Sequence, residues 1–519
     1  MINGGWSVGH LNGTIRIPGD GLNRIIIFGR PVPVVALVEG TAALAAFYYG
    51  LLFTALAHVS PFHPHEYTFN HMLGYTFNDM LYHLLHGQFD VDPQIIGMEG
   101  FIHGGKTYSY FGIFLALLRL PLIVVPGWRW IDVTLVSCVL ATTVAAYFKL
   151  RAAVAVTRRL EATRLRDFTL LALIASILFS GAQIQWAKAS IYVEVVCWVN
   201  ALTAAFVYCA IEGLLSWFSL RHLLVMAILA GLTLLTRVSS GIGLYAALGL
   251  LVPWIAWSEA ADRQWWRALF SSRLIAPVAI LGAFAFACGA VNFGRWGNPF
   301  TFADITKNIF DREVYPERLV VLERYGEFNV VRIGYALMYY FLPLWAIIGN
   351  NHEFMFASFQ RRTITAVEMP PSSFFLTDPL LILLTALFLW LALDRRTPES
   401  LNRRSCGLLL AGLAVPWLMI LMFEYMALRY RVEFYPFLTA AALLGFYAMC
   451  TRERWVPPRW IGGTIVAAAA LGVIASHLIL ALYWLSAFGP VELNTRLKEE
   501  GWTGYYRSQF EFARKLHPF

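Results

Sequence analysis

Acidic side chains that could act as a general base lie in one polar segment of an otherwise apolar chain, residues 59 to 130. Within it, Glu66, Asp79 and Asp92 could each take a proton from an acceptor hydroxyl. Basic side chains follow, and cations can stabilise the negative charge of a departing phosphate. These residue types therefore suit transfer of a group from a phosphate to a hydroxyl, and the choice among the three acids stays open.

Further ionisable and aromatic side chains are expected near the same membrane face. They are Asp90, Glu99, Lys106, Arg119, Tyr192, Glu194, Arg237, Arg429 and Arg431. For each residue taken alone, a structural ion pair or a side chain reaching for the interface is an equally good explanation. Their joint position favours a functional site, because ionisable groups at the mouth of membrane helices are functional candidates by default.

Histidines are also concentrated here, with seven of the twelve between residues 58 and 103. His63 and His65 form an HxH pair, but no HExxH motif and no spacing of two histidines with one acid accompanies it. We therefore predict no metal site and no required cofactor, and leave a supporting divalent cation open.

The whole chain has the composition of a membrane protein. Of its 519 residues, 58% are hydrophobic and 14% are charged, and the mean hydropathy is +0.60. Many apolar runs reach the roughly 20 residues needed to cross a bilayer. The net charge of +8 does not indicate nucleic acid, because most Arg and Lys lie in short loops between apolar runs. An all-α polytopic membrane protein is predicted.

The arginines predict the topology. Arg16, Arg24 and Arg30 precede the first apolar run, and two later basic loops, 149–167 and 258–273, should share their cytoplasmic side. The segments 108–127 and 331–348 would reverse that arrangement if they crossed, so we predict juxtamembrane or re-entrant helices there. About 11 crossings remain, at 33–58, 131–150, 168–185, 195–216, 222–237, 238–257, 274–294, 376–393, 406–424, 435–450 and 460–485.

Five parts follow from this topology. They are a cytoplasmic N-terminus (1–32), a transmembrane module (33–294) that includes the outer loop 59–130, an outer or periplasmic loop with a juxtamembrane helix (295–375), C-terminal transmembrane helices (376–485) and an outer C-terminal segment (486–519). Function is therefore expected at the outer face, where the long segments lie.

An amphipathic helix is predicted within the first outer loop, in the sequence TFNDMLYHLLHG at 76–87. Its polar side would carry Asn78, Asp79, Tyr82, His83 and His86, and Met80, Leu81, Leu84 and Leu85 would lie largely opposite. Such a helix would lie on the outer membrane surface. Asp79 and His83 are one turn apart and could share a hydrogen bond.

Several motifs resemble those of the GT-C superfamily of membrane glycosyltransferases, which includes the protein O-mannosyltransferases and the aminoarabinose transferases of lipid A. HPHE at 63–66 resembles an HPDE-type motif, with His65 in place of the Asp and Glu66 as the surviving acid. Similar loose matches are LLHGQFDVDP with GKTYSYFGIFLALLRLP, YVEVVCWVNALTAAF, LAGLTLLTRVSSG and RYRVEFYPFL. The resemblance spans about residues 35 to 450.

The resemblance implies a GT-C fold and an inverting transferase that moves a hexosyl or pentosyl group from a polyprenyl-phosphate donor to an acceptor hydroxyl. Glu66, Asp79 or Asp92 would be the base. Lys106, Arg237, Arg429 and Arg431 would hold the donor phosphate, and Tyr192, Glu194, Asp90, Glu99 and Arg119 would contact substrate.

The same resemblance implies a multi-pass protein of a bacterial inner (plasma) membrane, with its site at the periplasmic face and a role in building cell-envelope glycans. Its partners would be the lipid-linked donor, membrane lipids and a glycan, lipid or protein acceptor, with no nucleic acid. The alternative is a transporter or flippase of a lipid-linked sugar, which would need no base and would normally show paired or inverted repeats. Polar residues gathered at one face favour the enzyme.

Overall fold

The computed structural model describes residues 24–55, 72–181, 189–260, 270–343, 356–367, 373–451 and 456–485. The candidate base Glu66, the HPHE motif and the C-terminal segment 486–519 lie outside the described residues, as does most of the segment 1–32. The described residues are mainly helical. The α-helices are, in chain order, α1 (Val34–Ala55), α2 (Thr76–Leu85), α3 (Pro93–Ile96), α4 (Phe114–Leu117), α5 (Thr134–Thr157), α6 (Arg164–Phe179), α7 (Ile191–Ser216), α8 (Leu220–Leu234), α9 (Val238–Glu259), α10 (Ser272–Trp296), α11 (Ile309–Glu313), α12 (Pro316–Tyr325), α13 (Ile333–Phe341), α14 (Ala357–Thr363), α15 (Phe374–Thr377), α16 (Pro379–Leu393), α17 (Arg403–Leu413), α18 (Val415–Met422), α19 (Tyr435–Thr451) and α20 (Ile461–Leu485).

Strands are short and form three two-stranded pairs in the described part of the chain. β1 (Arg24–Ile27) pairs antiparallel with β2 (Arg30–Pro33), and β3 (Phe101–His103) pairs antiparallel with β4 (Lys106–Tyr108). β5 (Ala366–Val367) pairs parallel with β6 (Tyr425–Met426). These pairs shape loops at the ends of the helices and build no sheet core.

Seven helices of the described chain are long and apolar enough to cross a membrane: Val34–Thr54, Thr134–Thr157, Ile191–Ser216, Val238–Glu259, Arg273–Trp296, Arg403–Met422 and Ile461–Ala481. The other four predicted crossings coincide with the shorter helices α6, α8, α16 and α19. The all-α polytopic class is confirmed. The total of 11 crossings and the division into five parts stay predictions.

The two segments expected not to cross contain only short helices where they are described. Residues 108–127 hold α4 and a 3-10 turn, Leu120–Val124. Within 331–348, α13 has nine residues. At about 1.5 Å per residue, neither helix approaches the roughly 30 Å thickness of a bilayer core. Both therefore agree with the juxtamembrane prediction.

Small residues let the central helices pack closely. In α19, every residue from Tyr435 to Cys450 is buried. A Cβ on Gly445 of this helix would lie 2.2 Å from the carbonyl oxygen of Leu384 in α16, so only glycine permits that approach. Alanines 141, 145, 152 and 153 of α5 and alanines 201, 204 and 205 of α7 are likewise buried. Close approach of small residues is the usual basis of helix association in membranes.

The amphipathic helix predicted at 76–87 is present as α2, but part of its polar side is buried. Asn78 and Asp79 are fully buried, whereas Leu85 on the other side is 54% exposed. A solvated polar face, the usual environment of an interfacial amphipathic helix, is therefore not found at these two residues. Hydrophobic periodicity identifies two faces of a helix, and it cannot tell a water-facing polar side from one that faces other polar protein groups. Here Asn78 and Asp79 face other protein groups, whereas Tyr82 and His86 are exposed.

Candidate active site

Asp79 occupies the centre of a polar cluster between α2 and the loop that precedes α5. Its Oδ1 accepts hydrogen bonds from the Arg129 Nε at 2.9 Å and from the Arg129 Nη2. Its Oδ2 accepts one from the backbone N–H of Asp92 at 2.8 Å. Burial raises the pKa of Asp79, and the Asp92 N–H, Arg129 and His83 act in the opposite direction. This carboxyl group is enclosed and well supplied with donors.

Arg129 joins two of the predicted acids. Its Nη2 donates to Asp79 and also to the Oδ2 of Asp92. The Asp79 side chain is fully buried, whereas that of Asp92 is 47% exposed. The same guanidinium thus links an inaccessible carboxylate to an accessible one. Arg129 was not a predicted site residue, because it lies 50 positions from Asp79 and its approach depends on the folded path of the chain between them.

His83, Asp90 and Lys106 extend this cluster. The Nδ1 of His83 lies 3.4 Å from Asp90 and its Nε2 lies 3.7 Å from Asp92 and 3.9 Å from Asp79. The Nζ of Lys106, whose side chain is 51% exposed, lies 3.1 Å from the Oδ2 of Asp90. Burial would raise the pKa of Asp90, but the hydrogen bond and the charge of Lys106 outweigh it and lower that pKa.

We refer to these side chains as the Asp79 cluster, which comprises Asp79, His83, Asp90, Asp92, Lys106 and Arg129. The β3–β4 hairpin presents Lys106 through a two-residue turn of Gly104 and Gly105, with φ of +56° and +75°. Such a turn requires positive φ at both positions, which glycine adopts without strain. The turn lets β4 begin at Lys106, next to Asp90.

A chain of buried polar contacts positions this cluster on the membrane helices. The Asn78 Nδ2 donates to the carbonyls of Trp128, Arg129 and Ile131, at 3.0, 3.2 and 2.8 Å. Arg119 donates from Nε to the Asn78 Oδ1 and from Nη2 to the Glu194 Oε1 at 2.6 Å. The outer loop is thereby attached to the start of α7.

Arg119 and Glu194 were predicted to contact substrate. The structure places them together in an ion pair whose side chains are 3% and 0% exposed. Such a pair is costly to break, because a single buried charge would remain. Their position supports a role in holding the loop, and contact with a substrate stays a prediction.

The Asp79 cluster also contains the atoms that a cation would need. Carboxylate and imidazole ligand atoms of Asp79, His83 and Asp92 lie within 4.8 Å of one another. Arg129 already donates to both carboxylates, so a metal ion would have to displace its guanidinium. As it stands, the cluster is a salt-bridge network, and a requirement for a divalent cation stays open.

A second group, the Glu99 cluster, lies at the other end of the same loop segment. It comprises Glu99, Tyr110, Tyr192, Arg237, Arg429 and Tyr430. Glu99 is half-buried and shares a hydrogen bond with Tyr192, and the Arg429 guanidinium lies 5.0 Å from the Tyr192 ring centre. Burial raises the pKa of Glu99, and Tyr192 and Arg429 oppose the rise.

Arg237 is held beside this cluster by Glu433. Its Nε donates to the Glu433 Oε1 at 2.5 Å, and Ser239 and Ser240 donate to the same carboxylate. The guanidinium carbon lies 4.8 Å from the centre of the Tyr430 ring. Within the described chain, the Nη groups of Arg237 have no protein acceptor, so they can donate to a ligand. Sequence reasoning did not select Glu433.

Arg431 lies apart from the other predicted cations. Its Nη2 donates at 2.8 Å to both Thr377 and Asp378, and the guanidinium stacks 3.9 Å from the Phe374 ring centre. Its side chain is 1% exposed. Arg429 and Arg431 are only two positions apart in RYRVE, and the intervening turn sends them to different environments.

A buried acid that sequence reasoning missed lies beside the second outer segment. Glu424 is 3% exposed, and its Oε2 has no hydrogen-bond partner in the described part of the chain. The pKa of Glu424 is raised to about 7 by burial, the larger cause, and by the nearby Glu327, against Thr365 and Arg332. The arginines of the stretch 424–434 were predicted site residues and Glu424 was not, because its burial depends on segments about 60 and 100 residues away.

In its described part, the segment 295–375 lies against this side of the site. Ile309 donates its N–H to the Gly100 carbonyl at 3.0 Å, next to Glu99. Arg332 is fully buried and donates to the carbonyls of Gly326, Glu327, Thr363 and Met422, which joins three chain segments. The segment 295–375 therefore contacts the chain both beside Glu99 and at Glu424.

Comparisons with known proteins identify membrane transferases among solved structures. No protein-family model and no curated protein matches the chain. The chain is similar to an apo oligosaccharyltransferase from Archaeoglobus fulgidus, with 11% identity, a TM-score of 0.44 and coverage of 93% of this chain and 60% of that chain. It is also similar to ArnT from Cupriavidus metallidurans bound to undecaprenyl phosphate, with 14% identity, a TM-score of 0.39 and coverage of 92% of this chain and 75% of that chain.

A third solved structure is the oligosaccharyltransferase AglB from Archaeoglobus fulgidus in complex with an inhibitory peptide and a dolichol-phosphate, with 13% identity, a TM-score of 0.42 and the same coverage of 93% and 60%. The chain thus spans 60% of the length of the archaeal proteins. These proteins are GT-C glycosyltransferases. With TM-scores below 0.5, the activity has to be argued from the side chains of this protein.

Proposed function

We propose that this protein is an inverting glycosyltransferase that moves a sugar from a polyprenyl-phosphate donor to an acceptor hydroxyl at the outer, periplasmic face of a bacterial inner membrane. The observation that carries the proposal is the environment of Asp92. Its carboxylate is 47% exposed, is held by Arg129 and lies 3.7 Å from His83. An acid that is both fixed and reachable is what a general base for a hydroxyl requires.

Asp92, rather than Asp79, is assigned as the base. Asp79 is fully buried and accepts hydrogen bonds at both oxygens, so an acceptor hydroxyl cannot reach it. Its role is to fix Arg129 and, through the Asp92 N–H, the backbone of the base itself. Glu66 lies outside the described residues and keeps its place as an alternative base.

Each transfer moves one proton from the acceptor hydroxyl to Asp92 and releases one polyprenyl phosphate. Asp92 takes the proton of the acceptor hydroxyl while the oxygen attacks the anomeric carbon from the face opposite the phosphate. The bond between the anomeric carbon and the phosphate oxygen breaks, and its electron pair leaves with polyprenyl phosphate. The configuration at the sugar therefore inverts. The proton then leaves Asp92 for solvent, to which its 47% exposed side chain is open.

Lys106, Arg237 and Arg429 are assigned to the donor phosphate. Lys106 has a half-exposed side chain, and Arg237 keeps Nη donors for a ligand. Charge-assisted hydrogen bonds of this kind stabilise a developing phosphate charge. Arg431 is excluded from this role, because its guanidinium is enclosed by Thr377 and Asp378. Tyr192 and Glu99 would contact the substrate from the side of Arg429.

The test uses purified protein with polyprenyl-phosphate sugars, both hexosyl and pentosyl, and glycan, lipid and peptide acceptors. The proposal predicts a product of inverted configuration, detected by NMR, and a loss of transfer of at least 100-fold in Asp92→Asn, in the range that general-base catalysis contributes. Asp304→Asn is the matched control, because Asp304 is a partly exposed acid paired with Lys307 on the covering segment. Full transfer by Asp92→Asn would contradict the assignment of the base. Movement of intact donor across vesicles without any transfer would favour the flippase instead.

A further inference from the structure

A cavity lies at the opposite end of α5 from the Asp79 cluster. Its volume is about 570 Å³, and its charged lining residues are Arg24, Arg158, Arg159, Arg166 and Glu212. Ligand pockets commonly have volumes of about 300–1,000 Å³. Because α5 has 24 residues, its ends are about 36 Å apart, and this cavity belongs to the membrane face that the arginines predict to be cytoplasmic.

The cavity wall is built by specific contacts. The Nη2 of Arg166 donates to the carbonyl of Ile26 in β1, and its Nη1 donates to the carbonyl of Leu160 at 3.2 Å. The N–H of Phe28 donates to the Asp167 Oδ2 at 2.7 Å. Arg166 and Asp167, which are buried, thereby hold the β1–β2 hairpin against the loop between α5 and α6. The hairpin closes one side of the cavity.

The lining has an excess of positive charge. Asp167 neutralises Arg166 through an ion pair, and Glu212 is the one acid of the lining. The Arg24 and Arg158 residues are exposed, and neither guanidinium has a hydrogen bond or an ion pair within the described chain. Arg159 uses one Nη group to donate to the Leu215 carbonyl. Three arginines therefore face one carboxylate in a concave site.

Exposed apolar side chains lie on the hairpin and on the adjoining α6, and one of them, Ile26, lines the cavity. Ile26, Phe28 and Phe168 are 49%, 45% and 43% exposed, and the rings of Phe28 and Phe168 contact each other at 5.1 Å. Exposed apolar groups beside arginines at the end of membrane helices are typical of the interface, where lipid headgroups lie. This observation is independent of the charge count.

We propose that this cavity binds a phosphate-bearing anion through Arg24, Arg158 and Arg159. Arginine donors match phosphate oxygens in geometry and charge. The phosphate can belong to the headgroup of an anionic phospholipid in the adjacent leaflet or to a soluble phosphate compound. The exposed Ile26 and Phe28 favour the lipid, since a soluble ligand would not need an apolar rim. The proposal is independent of the transfer reaction at the other face.

The experiment measures binding to the purified full chain in detergent by native mass spectrometry and by thermal unfolding. The probes are phosphatidylglycerol, phosphatidylcholine, glycerol phosphate and inorganic phosphate. We expect phosphatidylglycerol to bind and to raise the unfolding midpoint, and phosphatidylcholine to do neither. Arg24→Gln with Arg158→Gln should weaken this binding about 25-fold, at about fivefold for each arginine near an anionic headgroup.

Arg396→Gln is the matched control, because Arg396 is a half-exposed arginine of another loop predicted to be cytoplasmic and does not line the cavity. Arg24 and Arg158 are both exposed. If the double variant and the wild type have the same unfolding midpoint when both are measured without lipid, the fold of the variant is intact. Binding of inorganic phosphate or glycerol phosphate that the double variant loses would support the site and identify the source as soluble. Two results would overturn the proposal. One is equal binding of both lipids with no binding of either soluble phosphate, and the other is a double variant that binds the probes as well as the Arg396→Gln control does.

Discussion

Replacement of Arg129 by glutamine should damage both the fold and the transfer reaction. Arg129 donates through Nε and Nη2 to Asp79 and through Nη2 to Asp92. Hydrogen bonds to charged groups contribute about 1.5–3 kcal/mol each, and a buried acid that loses its partner costs about 3–5 kcal/mol. The Arg129 side chain is 20% exposed and Asp79 keeps the Asp92 N–H, so we expect the lower value, about 3 kcal/mol.

The catalytic effect should exceed the effect on stability. Without Arg129, the Asp92 carboxylate loses the group that fixes it, and a misplacement of about 1 Å costs about 100-fold in rate. Arg129→Lys should keep part of the activity, because an ammonium group carries the charge but cannot reproduce the two-pronged contact with both acids. We therefore expect the order wild type, Arg129→Lys, Arg129→Gln in kcat, with little change in KM for the donor.

The assay compares the initial rates of sugar transfer and the unfolding midpoints of these two variants with those of Arg312→Gln. Arg312 is an exposed arginine on α11 and makes no contact with the Asp79 cluster. Activity of Arg129→Gln within twofold of the wild type would refute the reasoning. Full activity of Arg129→Lys would show that only the positive charge is needed, and not the simultaneous contact of one guanidinium with both acids.

Three further predictions concern other parts of the site. Lys106→Ala should leave the unfolding midpoint nearly unchanged, since an exposed ion pair contributes at most about 1 kcal/mol. In a titration, the variant should bind the donor about tenfold more weakly than the wild type. Unchanged donor affinity would exclude Lys106 from the phosphate site. Burial raises the pKa of Glu424 from 4.5 to about 7, so the folded protein holds this proton more tightly than the unfolded chain does. Relative to Glu424→Gln, the wild type should lose about 3 kcal/mol of stability as the pH rises from 4.5 to above 7, and parallel thermal unfolding curves would contradict this. Gly74→Ala should destabilise the protein by about 1–3 kcal/mol in the same assay, because the added Cβ would lie 2.2 Å from an Asp132 carboxylate oxygen. Gly334→Ala is the control and should leave the stability unchanged, because no atom lies within 4 Å of its added Cβ.

Sequence patterns predicted the helices well, because long apolar runs have few alternatives in a membrane. They also predicted that 108–127 and 331–348 would not cross the membrane, since the arginines constrain which loops share a side, and the helices described there are short. The presence of α2 followed from its periodicity. In each of these cases the information is local in the chain or depends on charge near a helix end.

The environment of the acids could not be predicted in this way. Asp79 is buried because Arg129, which is 50 residues away, comes back to it. Arg431 is enclosed because Asp378 approaches it from 53 residues away. Such contacts depend on how the helices pack and not on the residues around each charge. The sequence therefore indicated the loop that holds the candidate site, and the structure was needed to distinguish the accessible Asp92 from the buried Asp79 and to show that Arg431 is enclosed.

The most direct test of the proposed transfer is to measure free polyprenyl phosphate and glycosylated acceptor together, in one reaction with purified protein. The account predicts that one polyprenyl phosphate is released for each sugar transferred, and that Asp92→Asn abolishes both products while donor binding is retained. Donor that moves between leaflets and stays intact, with no polyprenyl phosphate released by the wild type, would contradict the proposed reaction.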